Sequence, residues 1–203
     1  MLGAFRWLCL STLCTVVGFS GSLPAAATVM EQQGLNAGVI GLISSLVYAG
    51  VLCLVPFQPW LARHLNAVPV YLIGKVLTSA GFVGLTIAHS PWTWALYTFL
   101  IGLGAGLTWP VTDNLVAAFA PPDKKGAWMG LFQTGIGGAF ALGPFIASGL
   151  APNVMFFASA IAGGVTMMPL LGRRVALPED ATDTDATFGR VLRAAPALPL
   201  LGF

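Results

Sequence analysis

Charge is what this sequence has least of. Among 203 residues there are nine Lys and Arg and seven Asp and Glu, together 8%, where a soluble domain carries about 25%. So few charges cannot cover a water-facing surface, which excludes a soluble globular protein. Disorder is excluded as well, because disordered chains are polar and highly charged. Cysteine is scarce too. Cys9 and Cys14 lie five apart, about 140° around a helix, and neither they nor Cys53 form a disulfide or zinc spacing. There are two histidines, His64 and His89. The nine basic residues are scattered, and with a net charge of +2 nothing points to nucleic acid. What is abundant is apolar: 57% of residues are hydrophobic and the mean hydropathy is +0.85. An all-α integral membrane protein is the class that remains, with the lipid bilayer as its surroundings.

The apolar runs fall at about 5–30, 38–58, 69–88, 92–118, 127–150 and 153–171, and each approaches the ~20 residues that cross a bilayer. Six membrane-spanning helices follow. After Leu171 the chain turns polar, through Arg173 and Arg174 to Asp185, before a last apolar run from Ala194 to Phe203. The expected organisation is therefore a six-helix domain over 1–172, a cytoplasmic loop over 173–193 and the truncated start of a seventh helix over 194–203. Basic residues set the orientation. With the amino terminus cytoplasmic, Arg6, then Arg63 and Lys75 flanking the second-to-third connection, then Lys124 and Lys125, and finally Arg173, Arg174, Arg190 and Arg193 all fall on the inner side. That satisfies the positive-inside rule and places the chain in the plasma (inner) membrane. Arg6 with Ala25-Ala26-Ala27 has signal-peptide features, but the apolar run continues to Met30. Trp60, Trp92 and Trp94 at helix ends read as interfacial anchors, and His89 as a solvated outer-loop residue.

The chain echoes itself. Gly41-Leu42-Ile43-Ser44-Ser45 opens the second helix and Pro56-Phe57 closes it; Gly130-Leu131-Phe132-Gln133-Thr134 and Pro144-Phe145 repeat the pattern in the fifth. The Gly-to-Pro spacing is 15 in one and 14 in the other. Gly18-x-x-Gly21-x-x-Pro24 and Gly104-x-Gly106-x-x-x-Pro110 pair the first helix with the fourth. Two copies with three spans each must be inverted relative to one another, giving the 3+3 inverted repeats known from secondary transporters.

Two segments now carry a resemblance. Pro121-Pro122-Asp123-Lys124-Lys125-Gly126, running into Trp128-Met129-Gly130, matches an inner loop that typically reads Pro-Pro-Glu-x-Arg-Gly. Gly130, Ala139, Gly143-Pro144 and Ala147-Ser148 trace a relaxed antiporter motif on the fifth helix. The sequence thus resembles the amino-terminal half of a major facilitator superfamily transporter. Small residues at such spacing equally suit plain helix packing. Two departures stand out. The family's Gly-x-Leu-Ala-Asp-Arg-x-Gly-Arg-Arg loop reads Pro59-Trp60-Leu61-Ala62-Arg63-His64-Leu65-Asn66 here, with Arg63 at the acidic position. Thr98 stands where antiporters often carry an Arg before Phe-Leu-x-Gly-x-Gly.

Asp113 is the sole acidic residue well inside a predicted span, and ionisable groups at that depth mark substrate or proton pathways. Thr112, Asp113 and Asn114 also suit a structural task, satisfying backbone groups freed by Pro110. The resemblance implies that helices one and four line a central pathway, which nominates Phe19, Ser20, Ser22, Trp109, Thr112 and Asn114, joined by Tyr48, Gln133 and Thr134. Gly130, Ala139, Gly143 and Pro144 form the conformational motif. Gly102-Leu103-Gly104-Ala105-Gly106 is not a dinucleotide loop, since no strand precedes it. No nucleophile elbow is complete: Gly18-Phe19-Ser20-Gly21-Ser22 lacks its final Gly, so an intramembrane protease is disfavoured. With no phosphate-binding loop, neither is the chain the membrane domain of an ATP-driven exporter.

The expected function is secondary active transport of a small organic solute by alternating access, in the form of a proton-coupled efflux antiporter. A proton gradient takes the place of a cofactor, and the missing carboxyl-terminal six-helix half is the main partner. A non-transporting membrane scaffold or assembly protein of the same fold is the alternative. For the topology, Asn36→Cys and Pro152→Cys on a cysteine-free background are expected to react with an impermeant thiol reagent from outside intact cells. Lys124→Cys is expected to stay unlabelled until the membrane is opened.

Overall fold

A computed structural model describes residues 2–58, 60–61, 67–121 and 123–168. Six helices run through them: α1 Leu2–Gln32, α2 Ala37–Leu54, α3 Ala67–Thr86, α4 Pro91–Phe119, α5 Lys125–Ser148 and α6 Pro152–Met167, with a short 3-10 turn, Val55–Phe57, after α2. Five hold spans long and apolar enough to cross a membrane; in α6 the described part is 16 residues. The expected boundary at 172, the loop over 173–193 and the apolar start at 194–203 lie outside the described residues, as do Ala62 to Asn66 and Pro122.

Local chemistry places the turns. Gly34, at φ +83°, ends α1: its N–H donates to the Glu31 carbonyl (2.9 Å) and the Leu35 N–H to that of Met30 (3.1 Å). This is the Schellman pair that a left-handed glycine permits. Asn36 then caps α2 by accepting from the Val39 N–H at 3.0 Å. Ser90 and Thr93 form a reciprocal capping box on α4, with Pro91 just inside the helix.

The helices pair in a pattern that respects the repeat. α1 packs along α5 and α6, α4 packs along α2 and α3, and α3 meets α6. Exchanging α1 with α4, α2 with α5 and α3 with α6 leaves this set of pairs unchanged, as two copies of one three-helix unit require. Each unit's first helix lies against the other unit's second and third. The pairs are drawn close by glycine. A Cβ on Gly143 would collide with the Ser20 hydroxyl and stand 2.5 Å from the Val17 carbonyl oxygen on α1. One on Gly102 would strike the Val47 carbonyl of α2, and one on Gly74 would come 2.7 Å from the Gly104 carbonyl of α4. Lipid is as apolar as a leucine side chain, so such backbone proximity, through dispersion and packing, is what holds membrane helices together. Outward, the surface is apolar: Leu42, Leu52, Leu131, Phe145 and Ile161 are all exposed, as lipid contact allows.

Two sequence expectations change here. Trp94 is not an interfacial anchor. It is fully buried, its indole N–H donating to the Gln33 side chain at 2.9 Å and its ring meeting Phe156 edge-on at 6.4 Å. Trp92 and Trp60 do project from the surface. Lys75 does not flank a loop either; it lies inside α3 with 1% of its surface exposed. A count of basic residues along the chain cannot tell a loop lysine from one turned into a helix bundle.

The glycine contacts separate packing from decoration. Gly143→Ala is expected to lower the thermal midpoint in detergent clearly, by a loss of roughly 1–3 kcal/mol for overpacking. Gly130→Ala, where a Cβ meets nothing within 4 Å, is expected to leave it unchanged or slightly higher.

Candidate functional site

A cavity of about 230 Å³ opens where α1, α4 and α5 meet. α1 contributes Thr12 and Val16, α4 contributes Trp109, Thr112 and Asp113, and α5 contributes Phe132, Gln133, Ile136 and Phe140. The spacings of three and four residues put each set on one helix face. Asp113 is half-buried, and the Gln133 amide donates to its carboxylate at 3.3 Å. Above it the wall is aromatic. Phe19 stands edge-on to Trp109 at 5.5 Å and to Phe140 at 6.3 Å. An apolar, aromatic hollow with one carboxylate and one amide is suited to a small organic molecule whose orientation a few polar contacts fix.

Behind the cavity lies a buried seam of hydroxyls. Thr12 on α1 is 3.2 Å from Thr112 on α4 and 3.1 Å from the Tyr71 hydroxyl on α3. Tyr71 donates to the Ser11 hydroxyl at 3.0 Å, and Ser11 donates to Thr166 on α6 at the same distance. Each hydroxyl has another oxygen within hydrogen-bonding distance, so the seam carries polar groups at membrane depth without orphaning them.

Of the nominated residues, the structure gathers Trp109, Thr112, Asp113 and Gln133 around one cavity, with Phe19 behind Trp109. The others it places elsewhere. Tyr48 is 61% exposed on α2, away from the cavity, and Asn114 and Thr134 face outward. Ser20 is buried at the glycine contact with α5, donating to the Ala139 carbonyl at 3.4 Å. Ser22 bonds Ser159 of α6 at 3.0 Å. Both serines tie helices together. Within the expected conformational motif, Ala139 and Gly143 are buried against α1, whereas Gly130 and Pro144 are exposed.

The task once assigned to Thr112, Asp113 and Asn114 belongs to another residue. Pro110 has no N–H, so the carbonyl four residues earlier, on Gly106, loses its helical donor. The Gln58 side chain, just beyond α2, donates to that carbonyl at 2.6 Å. Thr112 instead bonds the Thr108 carbonyl within its own helix at 2.8 Å. The sequence reading also missed Thr12, Val16, Phe132, Ile136 and Phe140. The run of Ser11, Thr12 and Thr15 in an otherwise apolar helix was the available signal for the α1 side.

The Major Facilitator Superfamily model matches residues 8–202, and the chain belongs to that family, a family of transporters and not of enzymes. It is 26% identical over 200 residues to the uncharacterised MFS-type transporter YfkF of Bacillus subtilis (strain 168), covering 95% of this chain and 51% of that one. It is 27% identical over 194 residues to the multidrug resistance protein MdtH of Aeromonas salmonicida (strain A449), covering 92% and 49%. The MFS-type transporter YcaD of Salmonella heidelberg (strain SL476) matches at 20% over 170 residues, 83% of this chain and 44% of its own. The chain thus spans about half the length of the curated relatives it matches. No group of three or more potential metal ligands occurs among the described residues.

The Gln58 contact has a direct test. Gln58→Leu leaves the Gly106 carbonyl without its donor and is expected to destabilise the protein by about 1–3 kcal/mol, read as a lower thermal midpoint. Pro110→Ala restores the N–H, so the double variant is expected to recover most of that loss.

Proposed function

We propose that this chain is the amino-terminal half of a secondary active transporter that moves a small organic solute across the plasma (inner) membrane by alternating access, as a proton-coupled efflux antiporter. Its amino terminus is cytoplasmic. The observation that carries the reading is the cavity between α1, α4 and α5, where Asp113 and Gln133 sit beneath Trp109, Phe132 and Phe140. A carboxylate in such a place can exchange a proton for a solute, because each neutralises the same charge. The solute docks against the aromatic wall, and its polar end competes for Asp113. Family membership and the name of the MdtH relative support transport of small organic compounds. The cavity has walls from three helices of one half, and a second six-helix half supplies the facing wall. The two halves then rock about the site between them. Gly143 and Ala139 keep α5 against α1 as a rigid body during that motion.

The departures in the inner loop, with Arg63 in place of an acidic residue, favour a second reading, a membrane scaffold that keeps the fold without transport. One experiment separates the two. The chain alone, and the chain joined to the carboxyl-terminal half of the YfkF relative, are each expressed in an efflux-deficient bacterial host challenged with a panel of lipophilic cations, ethidium first. The joined protein is expected to raise resistance several-fold to at least one compound, and the chain alone to give none. Asp113→Asn in the joined protein is expected to insert normally and lose proton-driven efflux. Wild-type efflux by that variant, with unchanged pH dependence, removes Asp113 from the mechanism. A joined protein without transport of any compound leaves the scaffold reading.

A further inference from the structure

Lys75 is used by neither the packing nor the cavity described above, yet it is the most unusual charge among the described residues. It lies at the ninth position of α3, inside a membrane span, with 1% of its surface exposed. Its Nζ donates to the Ser11 carbonyl of α1 at 2.7 Å and contacts the Thr15 hydroxyl of the same helix. It also stands over the Tyr71 ring, 5.4 Å from the centroid. None of these partners is charged. Burying an ammonium costs several kcal/mol even when it is well partnered, so a lysine kept purely for packing would be better replaced by methionine.

The partners fit two states of the side chain. A neutral amine has two N–H donors, and the structure provides two oxygen acceptors, Ser11 O and Thr15 Oγ1. An ammonium has a third donor, and the face of Tyr71 receives it as a cation–π contact. The same Tyr71 begins the hydroxyl seam that runs through Thr12 to Thr112, beside Asp113 at the cavity. The titratable groups around Lys75 are few. α3 itself offers Tyr71, α1 offers Cys9 and Cys14, and α4 offers Asp113; the described part of α6 has no ionisable side chain. Glu31, the other carboxylate on these elements, is exposed in the last turn of α1, sixteen residues and so about 24 Å along the helix from Thr15, which leaves Asp113 as the carboxylate whose charge can answer that of Lys75.

We infer that Lys75 is a second proton-carrying residue of this half, coupled to Asp113 across the Tyr71–Thr12–Thr112 seam. When the carboxylate is charged, the ammonium is favoured across the seam. When a proton or a cationic solute neutralises Asp113, Lys75 releases its proton, so the seam never holds an unbalanced charge. The proton leaves as a proton and no bond to carbon changes. This rests on the reading of the cavity as a transport site only for its consequence, since the coupling itself is a property of the chain.

The test has two arms. The chain contains three lysines, Lys75, Lys124 and Lys125, so side-chain NMR of lysine-labelled protein in lipid nanodiscs resolves them, with Lys75→Arg assigning the buried one. Asp113→Asn is expected to move the Lys75 titration midpoint by about half a pH unit or more, with Lys124 and Lys125 unmoved. An unmoved Lys75 midpoint overturns the coupling, whatever the protein transports. In the joined transporter, Lys75→Arg holds the charge permanently, because arginine does not deprotonate in proteins. It is expected to keep ethidium counterflow within two-fold of wild type while proton-driven efflux falls at least ten-fold. Wild-type proton-driven efflux with an unchanged pH profile makes Lys75 a structural cation and overturns the inference. Absence of counterflow in the unmutated protein instead counts against the transport reading, and the NMR arm still decides the coupling.

Discussion

Close approach of backbones at glycine is the constraint on which the rest of this structure depends. Gly143 brings α5 against Val17, Ser20 and Gly21 of α1; Gly102 brings α4 against Val47 of α2; Gly74 and Gly104 bring α3 against α4. Within a bilayer these contacts have no hydrophobic effect behind them, and the dispersion gained by close packing holds the helices together. They also decide where packing fails. α5 is tied to α1, α4 is tied to α2 and α3, and α4 and α5 touch each other only lightly. The space between those two tightly packed groups is the cavity, and large side chains, Trp109, Phe132 and Phe140, border it where glycine does not.

Polar groups obey a second rule, that a buried side-chain polar atom at this depth has a partner, with the Ser79 hydroxyl the one exception among the described residues. The hydroxyls of Ser11, Thr12, Tyr71, Thr112 and Thr166 share one seam across four helices. Pro110 would break that rule at the Gly106 carbonyl, and Gln58 restores it from a different helix. A proline inside a membrane helix is thus a tertiary feature, because the donor that makes it tolerable comes from elsewhere in the chain. Ionisable side chains follow the same logic. Asp113 has Gln133, and Lys75 has a carbonyl, a hydroxyl and an aromatic face.

Symmetry links these observations to function. The pairing of helices is unchanged when the two three-helix units are exchanged, yet the chemistry is not. The first helix of one unit carries Ser11, Thr12 and Thr15, while the first helix of the other carries Trp109, Thr112 and Asp113. One scaffold, used twice, holds a hydroxyl face opposite an acidic, aromatic face. The matched relatives are about twice as long as this chain.

The sequence by itself determined the class, the six helices, the three-plus-three repeat and the family resemblance. Each rests on local quantities: apolar length, the glycine and proline spacing, and the inner-loop motif. It also nominated Asp113, Trp109, Thr112 and Gln133, since a carboxylate, a proline and polar side chains in apolar runs stand out without any knowledge of contacts. Which face each residue occupies was decided only by the tertiary structure. Ser20 and Ser22 read like Thr12 in one dimension, but helix rotation sends the first two into glycine contacts and a serine pair, and the third into the cavity wall. Tyr48 faces outward and Trp94 inward for the same reason. Lys75 is the clearest case. Its charge placed it with the loop residues along the chain, and its orientation on α3 turned it into the bundle, because one residue's rotation of about 100° around a helix separates lipid, loop and core.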